Sequence, residues 1–264
     1  MTERPIRVLK IGGSVLTSQR AYRRVAQHVT ARLLEAPGER LAVVVSAELG
    51  VTDSLLRAAK DFSADPDPAT VDLLWSTGEL RSVAFLALAL QALGVRAVTA
   101  NVHQLGLTHD LASSPATMLR LRAVLARSEV VVIPGFLARG HGDAIVSLGR
   151  GGSDLTAVFL AAHLRAAACE LVKDVPGYFT ADPATSTNAT HLASIDHDTA
   201  LAMADAGCEL VQPRALEVAR QLNINIIIRA LDDERRTVVA VRERVRVASR
   251  ESQVPSPPSL PERR

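Results

Sequence analysis

The chain alternates short, wholly apolar runs with longer stretches in which apolar residues recur every three or four positions. IRVLKI (6–11), LAVVVS (41–46), VRAVTA (95–100), EVVVIPGF (129–136), residues 143–148, Cys169–Lys173 and INIIIR (224–229) are the runs, and each reads as a strand. Residues 19–35 place Tyr22, Val25, Val29 and Leu33 on one helical face. Further helices are expected over 53–60, over 71–93 with an interruption at Thr77-Gly78, and over 115–127, 153–167, 196–206 and 214–222. Asp65-Pro66 and Asp67-Pro68 mark DFSADPDPAT as a loop. The segment ADPATSTNATHLA is expected to be irregular and TVVAVRERVRV to form a final edge strand. The proline-rich end, 249–264, reads as a disordered tail.

Strands separated by helices in this way predict an α/β fold, with a mostly parallel central sheet and helices on both faces, as one domain over residues 1–248. Such sheets gather ligands at the carboxyl ends of their strands. LKIGGS, VVVSAELGVTD and SLGRGGSD each put a glycine turn at such an end. A turn with few side chains lets backbone N–H groups approach an anion, and a helix N-terminus behind it favours negative charge. Three strand–turn–helix sites in one chain suggest a phosphate-handling enzyme.

Composition narrows this further. With 264 residues, 48% hydrophobic and 22% charged, the chain can bury a full core. The net charge is +2, but residues 241–264 alone hold six arginines and three glutamates, so the body is slightly acidic and does not resemble a nucleic-acid binder. Cys169 and Cys208 have no partner spacing suited to zinc and read as reduced thiols; no metal-ligand set is expected in the chain itself. No signal peptide and no membrane-spanning run is expected, which implies a cytoplasmic protein.

Of 30 basic residues only Lys10, Lys60 and Lys173 are lysine, and two of the three end strands beside glycine turns. A compact ammonium follows a moving phosphoryl group better than a planar guanidinium does. Lys10, with Gly12-Gly13 beyond it, therefore reads as a phosphate-neutralising group, or else the turn is an ordinary glycine turn. Neither a Walker A loop nor a dinucleotide fingerprint is present. Arg150, between glycines, is exposed by construction and suits a carboxylate or phosphate. Asp154, just inside the following helix, either fixes a lysine or a magnesium ion or compensates the helix terminus. Glu79 either receives a substrate ammonium or is a solvated helix residue. Ser46 and Thr52 offer hydroxyls to a carboxylate, or Thr52 and Asp53 cap a helix. No histidine or serine arrangement favours a metal site or a hydrolase.

Five ordered stretches carry a resemblance: LKIGGS; VVVSAELGVTDSLL; STGELRSVAFLALALQALGVRAVTANVHQLGLTHD; PGF followed by SLGRGGSDLTAVFLAAHL; and VKDVPGYFTADP. Together they resemble the amino acid kinase family, and within it the catalytic domain of aspartate kinases, over about residues 6–240. The resemblance implies a three-layer α/β/α sandwich of the amino acid kinase (carbamate kinase-like) fold. It also implies ATP and Mg²⁺ as cofactors, L-aspartate or a similar small amino acid as substrate, and a homodimer. On this basis Lys10 contacts the transferred phosphoryl, with Gly12, Gly13 and Ser14 lining its loop and Asp154 organising lysine and phosphates. Glu79 binds the amino group of the acceptor and Arg150 its α-carboxylate. Ser46, Thr52 and Ser153 complete the pocket, and Lys173, Asp174 and Phe179 lie along the nucleotide.

The chain departs from the family pattern at several places. Leu80 stands where arginine often follows the glutamate, and Ala184 where DPR is usual. Glu209 and Gln212 replace a common lysine and histidine, while Lys173 stands where threonine is usual. Regulatory ACT domains are not part of the sequence, so feedback inhibition through this chain is not expected. The alternatives implied are a kinase of the same fold for another amino or carboxylic acid, or a weakly active partner subunit.

Overall fold

The computed structural model describes residues 4–109 and 115–240. A central sheet of eight strands runs in the order β3 (Ala97–Thr99), β4 (Val130–Pro134), β2 (Arg40–Val45), β1 (Ile6–Ile11), β7 (Cys169–Lys173), β9 (Ile226–Ala230), β10 (Arg236–Ala240), β8 (Ser194–Asp196). From β3 to β9 all pairs are parallel; β10 lies antiparallel to β9 and parallel to β8.

The central strands read as unbroken apolar runs because both of their faces are covered. Val8, Ala42, Val44, Val131, Ile133 and Leu171 pack into one core, under α5 (Pro115–Arg127), α6 (Gly152–His163), α7 (His197–Asp205) and α8 (Pro213–Gln221). Their alternates Leu9, Ile11, Leu41, Val43, Val45, Val130, Val132 and Val172 pack into a second, under α1 (Gln19–Glu35) and α3 (Pro68–Ala92). Two helical layers on one sheet make the expected α/β/α sandwich.

Four details differ from the sequence reading. Helix α3 is unbroken through Thr77-Gly78. It starts on Asp67, which accepts from the Thr70 N–H at 2.8 Å, with Pro68 in the first turn. Gly78 is a point of close approach: a Cβ there would lie 3.0 Å from Val51 Cγ1 and 3.3 Å from Ala47 Cβ. The strand expected at 143–148 is β6 (Ile145–Ser147), which pairs only with β5 (Leu137–Arg139) in a separate hairpin; the SLGRGGSD turn therefore follows the hairpin, not the main sheet. Strand β8, which the sequence reading did not expect, forms directly after the segment expected to be irregular, and it is β8 rather than β10 that ends the sheet. A short helix, α4 (Val102–Leu105), opens on a capping box between Asn101 and Gln104. The strand residues beyond 240, the 249–264 tail and the last residue of HQLGLTHD lie outside the described residues.

Among the described residues α3 alone is long and apolar enough to cross a membrane by length and composition. It buries Glu79, Val83, Leu86 and Leu90 and packs on α1, α2 (Val51–Phe62) and the sheet, which makes it a core helix here.

Candidate active site

At the carboxyl ends of β1 and β2, the turn after β1, the turn before α2, the N-terminus of α6 and one side of α3 enclose a cleft of about 320 Å³. Its lining includes Lys10, Gly13, Ser14, Ser46, Thr52, Glu79, Ser153, Asp154 and Lys173. Nine of the thirteen residues singled out in the sequence thus share one space.

Register explains how two lysines meet there. Lys10 on β1 stands opposite Leu171 on β7, two residues before Lys173. A period of two puts Lys10, Leu171 and Lys173 on the same face of the sheet. Helix α6 packs on that face and presents Asp154 from its first turn. Lys10 Nζ lies 2.8 Å from Asp154 Oδ1, and Lys173 Nζ lies 2.8 Å from Asp154 Oδ2. The Asp154 side chain is 2% exposed. Burial alone would raise its carboxyl, but the two ammonium groups outweigh burial and hold it below the usual carboxylate range. Asp154 therefore pairs with both lysines, which compensation of the helix terminus alone does not require.

Glycines make this approach possible. A Cβ on Gly13 would lie 2.7 Å from the Ala47 carbonyl, so the turns after β1 and β2 could not close together. A Cβ on Gly135 would lie 2.5 Å from Ser153 Oγ. Gly151 caps α6 at φ +72°, and a Cβ there would collide with Gln212 at 2.0 Å. Gly12 is buried behind the turn, its N–H already donated to the Val172 carbonyl at 3.0 Å.

Glu79 is buried, not solvated. It lines the cleft, and its Oε2 has no hydrogen-bond partner. Burial pushes its carboxyl up to about 8, against the opposing pull of the Ala47 backbone N–H and of Lys10. An inward carboxylate with an open acceptor position is matched to an incoming cation.

A second cleft of about 370 Å³ adjoins the first, and Ser14 and Lys173 line both. Asp174 is exposed on its wall and accepts from Ser14 Oγ at 3.1 Å. Phe179 lies beyond the 174–178 turn, in an apolar hollow of about 610 Å³ that also includes Ala184. Its ring meets His191 edge-on at 5.3 Å, and the Arg235 guanidinium sits 5.7 Å from its centre. Arg150 is exposed at the tip of its loop and does not line the first cleft, although its neighbour Gly151 does. Glu209 is likewise exposed.

Glu48, Phe136 and Gln212 are among the lining residues that were not expected as site residues. Glu48 pairs with Arg81 at 3.2 Å and so ties the turn before α2 to α3. Its acidic place between Ser46 and Thr52 was a usable signal. Phe136 has φ +66° and stacks edge-on with Trp75 at 5.7 Å, which nothing in the sequence indicates.

The geometry is that of a three-layer α/β fold with its candidate chemistry gathered at the carboxyl rim of the sheet. The profile of the amino acid kinase family matches residues 5–230. Over 240 residues the chain is 37% identical to the aspartokinase of Geobacillus stearothermophilus, an alignment covering 88% of this chain and 58% of that protein. Aspartate kinase from Synechocystis superposes with a TM-score of 0.79 at 36% identity, over 89% of this chain and 40% of that one. E. coli aspartokinase III in complex with aspartate and ADP superposes with a TM-score of 0.77 at 24% identity, over 90% of this chain and 65% of that one, a likeness of fold. The chain belongs to the amino acid kinase family, and it spans little more than half the length of the curated relatives it matches.

Proposed function

We propose that the chain is an aspartate kinase, transferring the γ-phosphoryl group of MgATP to the β-carboxylate of L-aspartate to give 4-phospho-L-aspartate. The observation that carries this reading is the shared cleft, with a buried carboxyl group whose Oε2 is unpartnered and a lysine–aspartate–lysine floor at Asp154. Glu79 receives the α-ammonium of the acceptor. Ser46, Thr52 and Ser153 hold its carboxylates, and Arg150 folds over the α-carboxylate from the loop tip. The resemblance to aspartokinases at 37% identity supports aspartate as that acceptor.

The acceptor carboxylate is already ionised at neutral pH, so no general base is required. The task reduces to alignment and charge neutralisation. Lys10 neutralises charge on the transferred group from below, and Asp154 fixes its ammonium. The donor phosphates enter from the second cleft past Lys173 and Asp174, with the base toward Phe179. Mg²⁺ fits this site as an ion carried by phosphate oxygens, because both Asp154 oxygens already face ammonium groups. Asp174 is then an exposed carboxylate available to its water shell.

A hydroxamate assay with ATP, Mg²⁺ and a panel of amino acids tests the reading. Product with aspartate alone is expected. Product only with another acid would replace aspartate as the substrate, and no product with any acid would remove the kinase assignment.

Two further results are expected from the acceptor side. Since Glu79 holds its proton up to about pH 8 in the free protein and must release it to pair with an ammonium, the KM for aspartate should fall as pH rises from 6.5 through 8. Glu79→Gln should flatten that dependence. The same raised value means that Glu79 favours folding below its ordinary 4.5 and that this contribution is lost as pH rises through 8. Glu79→Gln should therefore melt above wild type at pH 8.5 while losing aspartate binding. Arg150→Ala should raise the KM for aspartate by about 10- to 100-fold, the loss of one charge-assisted contact. Its melting temperature should not change, because Arg150 is exposed. Unaltered aspartate kinetics would remove it from the acceptor pocket.

A further inference from the structure

Asp154 faces two ammonium groups when one would neutralise it. Both side chains are largely buried, 7% exposed for Lys10 and 13% for Lys173, and neither has another carboxylate partner among the described residues. The floor of the cleft therefore carries one surplus positive charge in a place where an uncompensated charge is costly. Burial, and then the neighbouring Lys10, lower the proton affinity of Lys173, and only Asp154 opposes them. Such a group gains from an arriving anion.

Position says which anion. Lys10 lines only the first cleft, whereas Lys173 lines both and, with Ser14, forms their junction. A group passing from a donor in the second cleft to an acceptor in the first must cross at Lys173.

We propose that Lys173 is a second catalytic ammonium, which contacts the transferred phosphoryl group from the donor side while Lys10 contacts it from the acceptor side. Asp154 is the positioning residue for both. In the step, an acceptor carboxylate oxygen bonds to the γ-phosphorus as the bond from that phosphorus to the β,γ-bridging oxygen breaks. The electron pair stays on the departing diphosphate, and no proton moves. Lys173 N–H groups neutralise the charge that grows on the bridging and γ-oxygens. This role rests on the kinase reading above, but not on aspartate as the acceptor.

Lys173→Met and Lys173→Arg test it, with Lys173→Gln in place of the Met variant should that fail to fold. The Met variant should lose on the order of 10²-fold in kcat. It should melt no lower than wild type, because one of two like charges is gone, and the Arg variant should recover part of the rate. The basic limb of the kcat–pH profile should move to higher pH in Lys173→Arg, a change that a merely structural lysine would not produce.

Equilibrium binding separates this from the acceptor assignment. Affinity for Mg²⁺ and the non-hydrolysable triphosphate AMP-PNP should fall at least tenfold in the Met variant, while AMP affinity is unchanged. Equal loss for AMP, or unchanged AMP-PNP binding, overturns the role of Lys173. An enzyme inactive with aspartate but showing that selective loss of triphosphate binding would sink the substrate and keep the lysine.

Discussion

Lys10→Met is expected to lower turnover on the order of 10²- to 10³-fold, the effect of removing one preorganised charge-stabilising group. The substitution leaves Asp154 paired with Lys173 at 2.8 Å, so the fold and the acceptor pocket should survive. The loss should therefore appear in kcat, with the KM for aspartate and the melting temperature close to wild type. Stopped-flow single-turnover measurements at saturating MgATP check this. A variant with kcat within threefold of wild type would remove Lys10 from the transfer step.

Asp154→Asn is expected to cost about 3–5 kcal/mol of folding stability, because it leaves two buried ammonium groups facing a neutral amide. Urea denaturation at pH 7 measures it. The double variant Asp154→Asn, Lys173→Met should recover part of the loss, since one of the two repelling charges is then absent. The pH dependence has a definite sign. Asp154 titrates below its ordinary 3.8 in the folded protein, so its stabilising contribution is present above that value and disappears as pH falls through the depressed one. The acid limb of wild-type unfolding should be blunted in Asp154→Asn. Equal stability of the two proteins at pH 7 would mean that the lysines do not depend on Asp154.

The sequence made the sheet legible where physics left little choice. Strands β1, β2, β4 and β7 are covered on both faces, and continuous apolar runs have few other places to go. Strands β8 and β10 were less legible: β8 has three residues, half-buried or exposed, and its place outside β10 depends on a pairing across more than forty positions of chain. Gly78 was misleading because glycine serves both as a breaker and as a clearance for packing, and only the proximity of Val51 and Ala47 distinguishes the two. The site divides the same way. Lys10, Glu79 and Asp154 were visible as charges at unusual places in apolar elements. The pairing of Lys173 with Asp154 needed the register of β1 against β7, which no local pattern contains. Arg150 is the converse case: its flanking glycines announced exposure correctly, and exposure leaves it outside the cleft lining.

The central claim is attack by a substrate carboxylate on the γ-phosphorus. Phosphorus NMR of the reaction with aspartate fully ¹⁸O-labelled in its β-carboxylate tests it most directly. An acyl-phosphate resonance carrying the isotope shift of a single bridging ¹⁸O is expected. Formation of ADP with only unlabelled inorganic phosphate, and no acyl-phosphate signal, would contradict it.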